Sequence, residues 1–199
     1  MQNSYLTQIK DYNIRQVWPT QEKAVLLVID MQLYFKDVAQ PIVDNVISII
    51  ECFRANNRKI FFTRHGHRDP KTDGGMLARW WGDLILYGSA EWELIDELHV
   101  QAGDTIIDKN RYSAFFATEL DGLLRKEGVE DLVITGVLTN CCCETTARDA
   151  FMRDYRVFFV ADATAAPTEE LHVASLKNLA YGFAHIVNTK DLRQTLEIT

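Results

Sequence analysis

The stretch that decides the fold is Asp131-Leu132-Val133-Ile134-Thr135-Gly136-Val137-Leu138-Thr139-Asn140-Cys141-Cys142-Cys143-Glu144-Thr145-Thr146-Ala147-Arg148-Asp149-Ala150-Phe151. Its first half is a nearly continuous apolar run, the pattern of a strand buried on both faces, and it closes on a glycine-bearing turn. From Glu144 onward it reads as a helix. Three consecutive cysteines stand at the junction. A thiol placed there faces the N–H groups and the positive end of the helix, which favour a thiolate. The carboxyl edge of a parallel sheet is also where α/β folds bind ligands.

The same grammar repeats on both sides. Residues 24–30 form an apolar run ending in Asp30, and residues 59–63, 104–107, 156–161 and 184–187 read as further strands. Helical patterns lie between them. Pro41 opens one (Ile42, Val46, Ile49, Ile50, Phe53), and others span about 117–127, the segment after Glu144, and about 168–181. Strands alternating with helices give right-handed βαβ crossovers. The expected fold is therefore α/β, a three-layer α-β-α arrangement around a mostly parallel, Rossmann-like sheet of about six strands. Residues 1–22 are polar and mixed and read as an N-terminal arm. Residues 1–199 otherwise show no repeat or linker, so one domain is expected. The segment from Arg64 to about Glu91 is too long for a simple connection and is expected to build a binding site or an interface.

Bulk properties narrow the function. A chain of 199 residues fits one domain and can bury roughly 70% of its unfolded surface. Hydrophobic residues at 47% and charged residues at 25% exclude a disordered or fibrous class. A net charge of -7 with no basic block excludes a nucleic-acid backbone as partner. No apolar run reaches membrane-spanning length, and residues 1–8 lack a charged-then-apolar signal pattern. The four cysteines are Cys52 and the triplet. Adjacent cysteines are poorly placed to bridge each other, and neither Cys-x-x-Cys nor a zinc-type pair occurs. A reducing cytoplasm, a small-molecule substrate and no cofactor are the expectations.

Asp30, Lys109 and the cysteine triplet each fall at the carboxyl end of an expected parallel strand, and those ends share one sheet edge. The chemistry suits the grouping. A free thiol is mostly protonated at neutral pH, so it needs a cation, a helix end or a base. Lys109 can favour the thiolate, and a carboxylate at Asp30 can take the proton and later deliver it to a leaving group. Singly, each has a plainer reading. Cysteines are often small core residues, a strand-terminal aspartate is often a cap, and Lys109 beside Asp108 and Arg111 could be a solvated charge.

Three segments together resemble the isochorismatase-like cysteine hydrolase superfamily: Leu27-Val28-Ile29-Asp30-Met31-Gln32, Lys109-Asn110-Arg111-Tyr112-Ser113-Ala114-Phe115, and Gly136 through Ala150. The resemblance covers about residues 24–190. It implies a nucleophile three places after the threonine, which selects Cys142, and a triad of Asp30, Lys109 and Cys142. It also implies a cis peptide at Val137-Leu138, with the Leu138 and Cys142 N–H groups forming an oxyanion hole. The implied reaction is acyl transfer from a small amide, ureide or carbamoyl compound through a thioester, and homo-oligomers are common in the superfamily. The Lys-x-Arg-Tyr-Ser-x-Phe-Phe stretch and the Thr-Asn-x-Cys-x-Glu core look most like ureidoacrylate and N-carbamoylsarcosine amidases.

Some members, the nicotinamidases, carry a metal held by an aspartate and histidines after the second strand. Here His67 falls where a ligand would stand, but His65 takes the place of the aspartate, so no metal is expected. Phe35, Trp80, Trp81, Tyr112 and Phe115 are candidate walls of an apolar pocket. Arg64, Arg79 or Arg111 is a candidate partner for a substrate carboxylate. Two alternatives remain: vinyl-ether hydrolysis, disfavoured because Cys142 is retained, and a non-catalytic small-molecule-binding member of the fold.

Overall fold

Burial on both faces shapes the centre of the molecule. Along residues 24–29, Val25, Leu27 and Ile29 join one apolar cluster while Ala24, Leu26 and Val28 join another. Such a strand is stable only as an inner member of a covered sheet. The computed structural model describes residues 5–15 and 17–197. Among them, β1 (Ala24–Ile29), β2 (Ile60–His65), β3 (Thr105–Lys109), β4 (Asp131–Val137), β5 (Arg156–Ala165) and β6 (His185–Val187) form one sheet in the order β3-β2-β1-β4-β5-β6. Every pairing is parallel. The chain runs outward from β1 to β3 and then returns to the far side of β1 as β4. The strand order reverses between β1 and β4, where open α/β sheets bind ligands.

Helices cover both faces, which gives the expected three layers. Leu120 and Leu124 of the helix Leu120–Lys126, Ala147 and Ala150 of Glu144–Phe151, and Leu176 and Leu179 of Glu169–Gly182 pack on one face. Val46, Ile49, Ile50 and Phe53 of Val43–Ala55, with Leu192 and Leu196 of Thr189–Glu197, pack on the other. The helix Glu169–Gly182 starts where Thr168 Oγ1 accepts the Leu171 N–H. No helix among the described residues is long and apolar enough to cross a membrane.

The structure differs from the sequence reading in four places. β5 continues beyond residue 161 to Ala165, because its register against β4 shifts: Ile134 faces Phe159 while Gly136 faces Thr164. The bulge absorbs the extra residues. The helix Thr189–Glu197 follows β6 and was not expected; the Asn188 side chain accepts the Asp191 N–H at its start. Residues 64–91 are not one loop, since they carry the short helices Pro70–Asp73 and Gly75–Trp81. Within the expected arm, residues 1–4 and 16 lie outside the described residues. The rest is docked: Ile9 is buried in the core, and Asn13 exchanges two hydrogen bonds with Ile186 of β6.

Gly136 sits at φ +110°, and a Cβ there would lie 2.0 Å from the Ile29 carbonyl oxygen. Only glycine lets β4 approach β1 this closely at the switch point.

Candidate active site

Asp30 follows β1 in the left-handed region, at φ 46°, a conformation that a short polar side chain tolerates better than most. Its carboxylate is fully buried and held on both oxygens. Thr63 Oγ1 donates to Oδ1 at 2.6 Å and Lys109 Nζ donates to Oδ2 at 2.7 Å. The same Thr63 oxygen accepts the Asp30 N–H at 3.1 Å. Lys109 closes β3; its ammonium also donates to the Arg111 carbonyl at 3.0 Å. Neither side chain of the ion pair is exposed to solvent. Burial pulls the Lys109 pKa down, but the attraction of Asp30 and Cys142 more than offsets it and holds the ammonium above the usual lysine range.

Cys142 lies in a wide π-type turn, Thr139–Cys143, that links β4 to the helix Glu144–Phe151. The N–H groups of Cys141 and Cys143 both donate to the Leu138 carbonyl at 3.1 Å. The Val137–Leu138 peptide bond is cis. Cys142 interacts with Asp30 and Lys109, and its residue surface is 5% exposed. Burial pushes its thiol well above the ordinary cysteine range; Lys109 opposes this, while Asp30 adds to it. The ammonium is already matched by a carboxylate, so burial and Asp30 oppose the thiolate that Lys109 and the helix end favour. Cys143 is fully buried in the core, and Cys141 is half-buried.

A cavity of about 300 Å³ opens in front of this cluster. Phe35, Trp81, Tyr112, Leu138 and Cys142 line it, together with Tyr34, His65, Leu77, Asp83, Leu84, Ile85 and Cys141. The rim is fastened by Tyr34 Oη donating to Asp83 at 3.0 Å and Trp81 Nε1 donating to Tyr112 Oη at 2.7 Å. Five other sequence candidates, Trp80, Phe115, Arg64, Arg79 and Arg111, do not line it. Trp80 is 75% exposed, Phe115 belongs to the core, and the Arg111 guanidinium donates to the carbonyls of Asp73 and Asn110.

Several supporting residues were not singled out from the sequence. Ser113 Oγ donates to Asp149 at 2.6 Å and the Ala114 N–H donates to Thr146 Oγ1 at 3.0 Å, which ties the segment after Lys109 to the helix after Cys142. Thr139, the first residue of the nucleophile turn, bonds through its hydroxyl to His172 Nδ1 at 2.8 Å. Thr63 is the most telling, since one hydroxyl fixes both the backbone and the carboxylate of Asp30. Thr63→Val keeps the shape and deletes both bonds. It is expected to cost about 1–3 kcal/mol of stability, because buried polar groups lose a partner. Turnover should fall at least tenfold, which steady-state kinetics beside denaturant unfolding will read.

After β2, His67 Nδ1 bonds to Asp73 Oδ1 at 3.1 Å, its Nε2 and the His65 Nδ1 are buried without a hydrogen-bond partner, and the two ring centroids are 5.2 Å apart. Among the described residues, no three His, Cys, Asp or Glu side chains come together as a ligand set.

The strand order sets the acid–lysine–thiol cluster at the switch point of a parallel, doubly wound α/β sheet. The chain belongs to the isochorismatase family, matching the Isochorismatase domain over residues 24–191. It is 48% identical to Nicotinamidase 3 of Arabidopsis thaliana over 94% of this chain and 96% of that protein. It is 32% identical to the ureidoacrylate amidohydrolase of Serratia proteamaculans, over 88% of this chain and 83% of the relative. A cysteine hydrolase structure from Pseudomonas syringae superposes with a TM-score of 0.87 at 27% identity, covering 92% of this chain and 96% of the other. These relatives are named as hydrolases, and this chain is a hydrolase of the same family.

Proposed function

We propose that the protein, acting as one domain, hydrolyses a small planar carboxamide to the acid and ammonia through a thioester on Cys142, with nicotinamide the first candidate substrate. The single observation that carries this reading is the 48% identity to Nicotinamidase 3 across nearly the whole of both chains. The cavity supports it: at about 300 Å³, with Phe35, Trp81 and Tyr112 in its wall, it suits a flat aromatic amide.

In this reading the Cys142 thiol gives its proton to Asp30 as sulfur attacks the amide carbon. Lys109 offsets the negative charge that shifts between sulfur and carboxylate. The backbone N–H groups of Leu138 and Cys142 receive the tetrahedral oxyanion. Asp30 returns the proton to the departing nitrogen, ammonia leaves, and the thioester remains. A water then gives a proton to Asp30, attacks the thioester, and releases the carboxylic acid while the proton returns to sulfur. The sum is amide plus water to acid plus ammonia.

Two further features belong to this proposal. The protein works in the cytoplasm, a reading supported by the absence of any disulfide among the described residues, which include all four cysteines. It works as a homo-oligomer, a reading supported by Met76, Trp80 and Trp81 exposed together on one short helix beside the cavity.

The test is ammonia release from nicotinamide, ureidoacrylate, carbamoylsarcosine, maleamate and biuret, with pyruvate release from isochorismate measured in parallel. Nicotinamide is expected to be the best substrate. Pyruvate without ammonia, or ammonia only from the ureido compounds, overturns the assignment.

A further inference from the structure

Two buried polar side chains take no part in the chemistry above, yet they are bonded to each other behind the nucleophile. Thr139 is 0% exposed and His172 is 3% exposed, and neither lines the cavity. The Thr139 hydroxyl meets His172 Nδ1 at 2.8 Å. Away from water, a hydroxyl or an imidazole nitrogen without a partner costs free energy, so burial itself holds the two together.

The two partners sit on elements of different stiffness. Thr139 opens the π-type turn Thr139–Cys143, an irregular excursion from helix geometry of the kind that functional sites favour. The hydrogen bonds of this turn are shared. The Leu138 carbonyl takes both the Cys141 and the Cys143 N–H, and the Glu144 N–H is divided between the Thr139 and Cys141 carbonyls. His172, by contrast, stands in the first turn of the regular helix Glu169–Gly182. Its N–H donates to the Thr168 carbonyl at 3.1 Å, and the Thr168 side chain caps that helix end. Tyr5 packs edge-on against the His172 ring with centroids 4.5 Å apart, and the Ala161 backbone of β5 faces it. Burial lowers the His172 pKa to about 4. The ring is therefore neutral at working pH and can serve the hydroxyl as donor or as acceptor.

Resting on the thioester reading above, we infer that His172 is a positioning residue: through the Thr139 hydroxyl it pins the turn that carries the nucleophile. Leu138, whose N–H is assigned to the oxyanion, directly precedes Thr139, and Cys142 follows three places on. A turn free to pivot at Thr139 moves both groups against the substrate carbon at once. A misplacement of about 1 Å can cost 10²-fold in rate. The aromatic walls Phe35, Trp81 and Tyr112 come from other elements and keep their places. The loss therefore falls on kcat and spares KM.

The experiment measures kcat, KM and melting temperature for Thr139→Val, His172→Leu, His172→Asn and the double variant Thr139→Val/His172→Leu, using the best amide of the panel above. Thr139→Val keeps the volume and deletes the hydroxyl. His172→Asn keeps, near the place of Nδ1, a polar group that can donate or accept. Thr139→Val and His172→Leu are each expected to lower kcat by about 10–100-fold with KM within about threefold of the parent. The double variant is expected to be no slower than the slower single, since both changes remove the same bond, and His172→Asn to recover most of the lost kcat. The Thr139→Val comparison does not depend on any His172 variant folding. A folded Thr139→Val with kcat within about threefold of the parent, a rise in KM at unchanged kcat, or single losses that multiply in the double variant overturns the positioning role and leaves the amidase reading standing. Ammonia from no amide with the parent protein overturns both.

Discussion

Cys142→Ser is expected to lower ammonia release by about 10³-fold or more while the protein remains folded, because the nucleophile of a covalent mechanism cannot be replaced by a much weaker acid at a fixed position. The exchange of sulfur for oxygen changes little volume at a site packed between β4 and the helix Glu144–Phe151, so circular dichroism and the melting temperature should stay close to those of the parent. A pH experiment separates the proposed proton transfer from a standing thiolate. Burial raises the Cys142 pKa above the ordinary cysteine value. The thiolate fraction of the free protein is then small at pH 7 and grows with rising pH. Alkylation by iodoacetamide should accordingly be slow at pH 7 and accelerate through pH 9 and beyond, while turnover at pH 7 persists because Asp30 takes the proton only in the substrate complex. Rapid, pH-independent alkylation across pH 6–8 contradicts this and points instead to a preformed thiolate. Turnover by Cys142→Ser within tenfold of the parent removes the covalent mechanism altogether.

The sheet was legible because its strands are apolar on both faces, a signal that survives in one dimension. Asp30, Lys109 and the cysteine triplet were legible for the same reason: a polar residue that ends a buried strand stands out, and parallel pairing brings such residues to one edge. The helix Thr189–Glu197 was missed, although Leu192 and Leu196 one turn apart and Asn188 before them are recognisable signals. Thr63 carried no comparable mark. A threonine in a strand ordinarily reports only β propensity, and its contact with Asp30 emerges from the parallel register that sets Val28 beside Phe62. The cavity wall was the least legible part. Leu77, Asp83, Leu84 and Ile85 reach the site only because short helices fold residues 70–85 back over the sheet edge. Trp80 and Trp81 are identical neighbours in sequence, yet Trp81 lines the cavity and Trp80 does not, a distinction that depends on helix phase. His65 was visible as a histidine near a strand end, but only the fold places it in the cavity wall.

Breaking the buried ion pair separates structural from chemical work at this site. Lys109→Met leaves the Asp30 carboxylate buried with Thr63 as its remaining donor, and Asp30→Asn leaves the Lys109 ammonium with the Arg111 carbonyl. Either change strands a charge where no water can reach it. Each single variant is expected to lose about 3–5 kcal/mol of stability, a fall of roughly 6–20 °C in melting temperature for a domain of this size. The double variant Asp30→Asn/Lys109→Met removes both charges at once. Since a buried pair is often no more stable than neutral groups of similar volume, the double variant should regain most of the lost stability. It should regain no activity, because the proton acceptor that the thiol requires is gone. Denaturant unfolding of the four proteins measures the coupling between the two positions, and ammonia release measures the chemistry. A double variant no more stable than the singles would show that the two charges are not held by each other. A Lys109→Met variant that turns over within tenfold of the parent would confine Lys109 to the fold and leave Asp30 and Cys142 to do the chemistry alone.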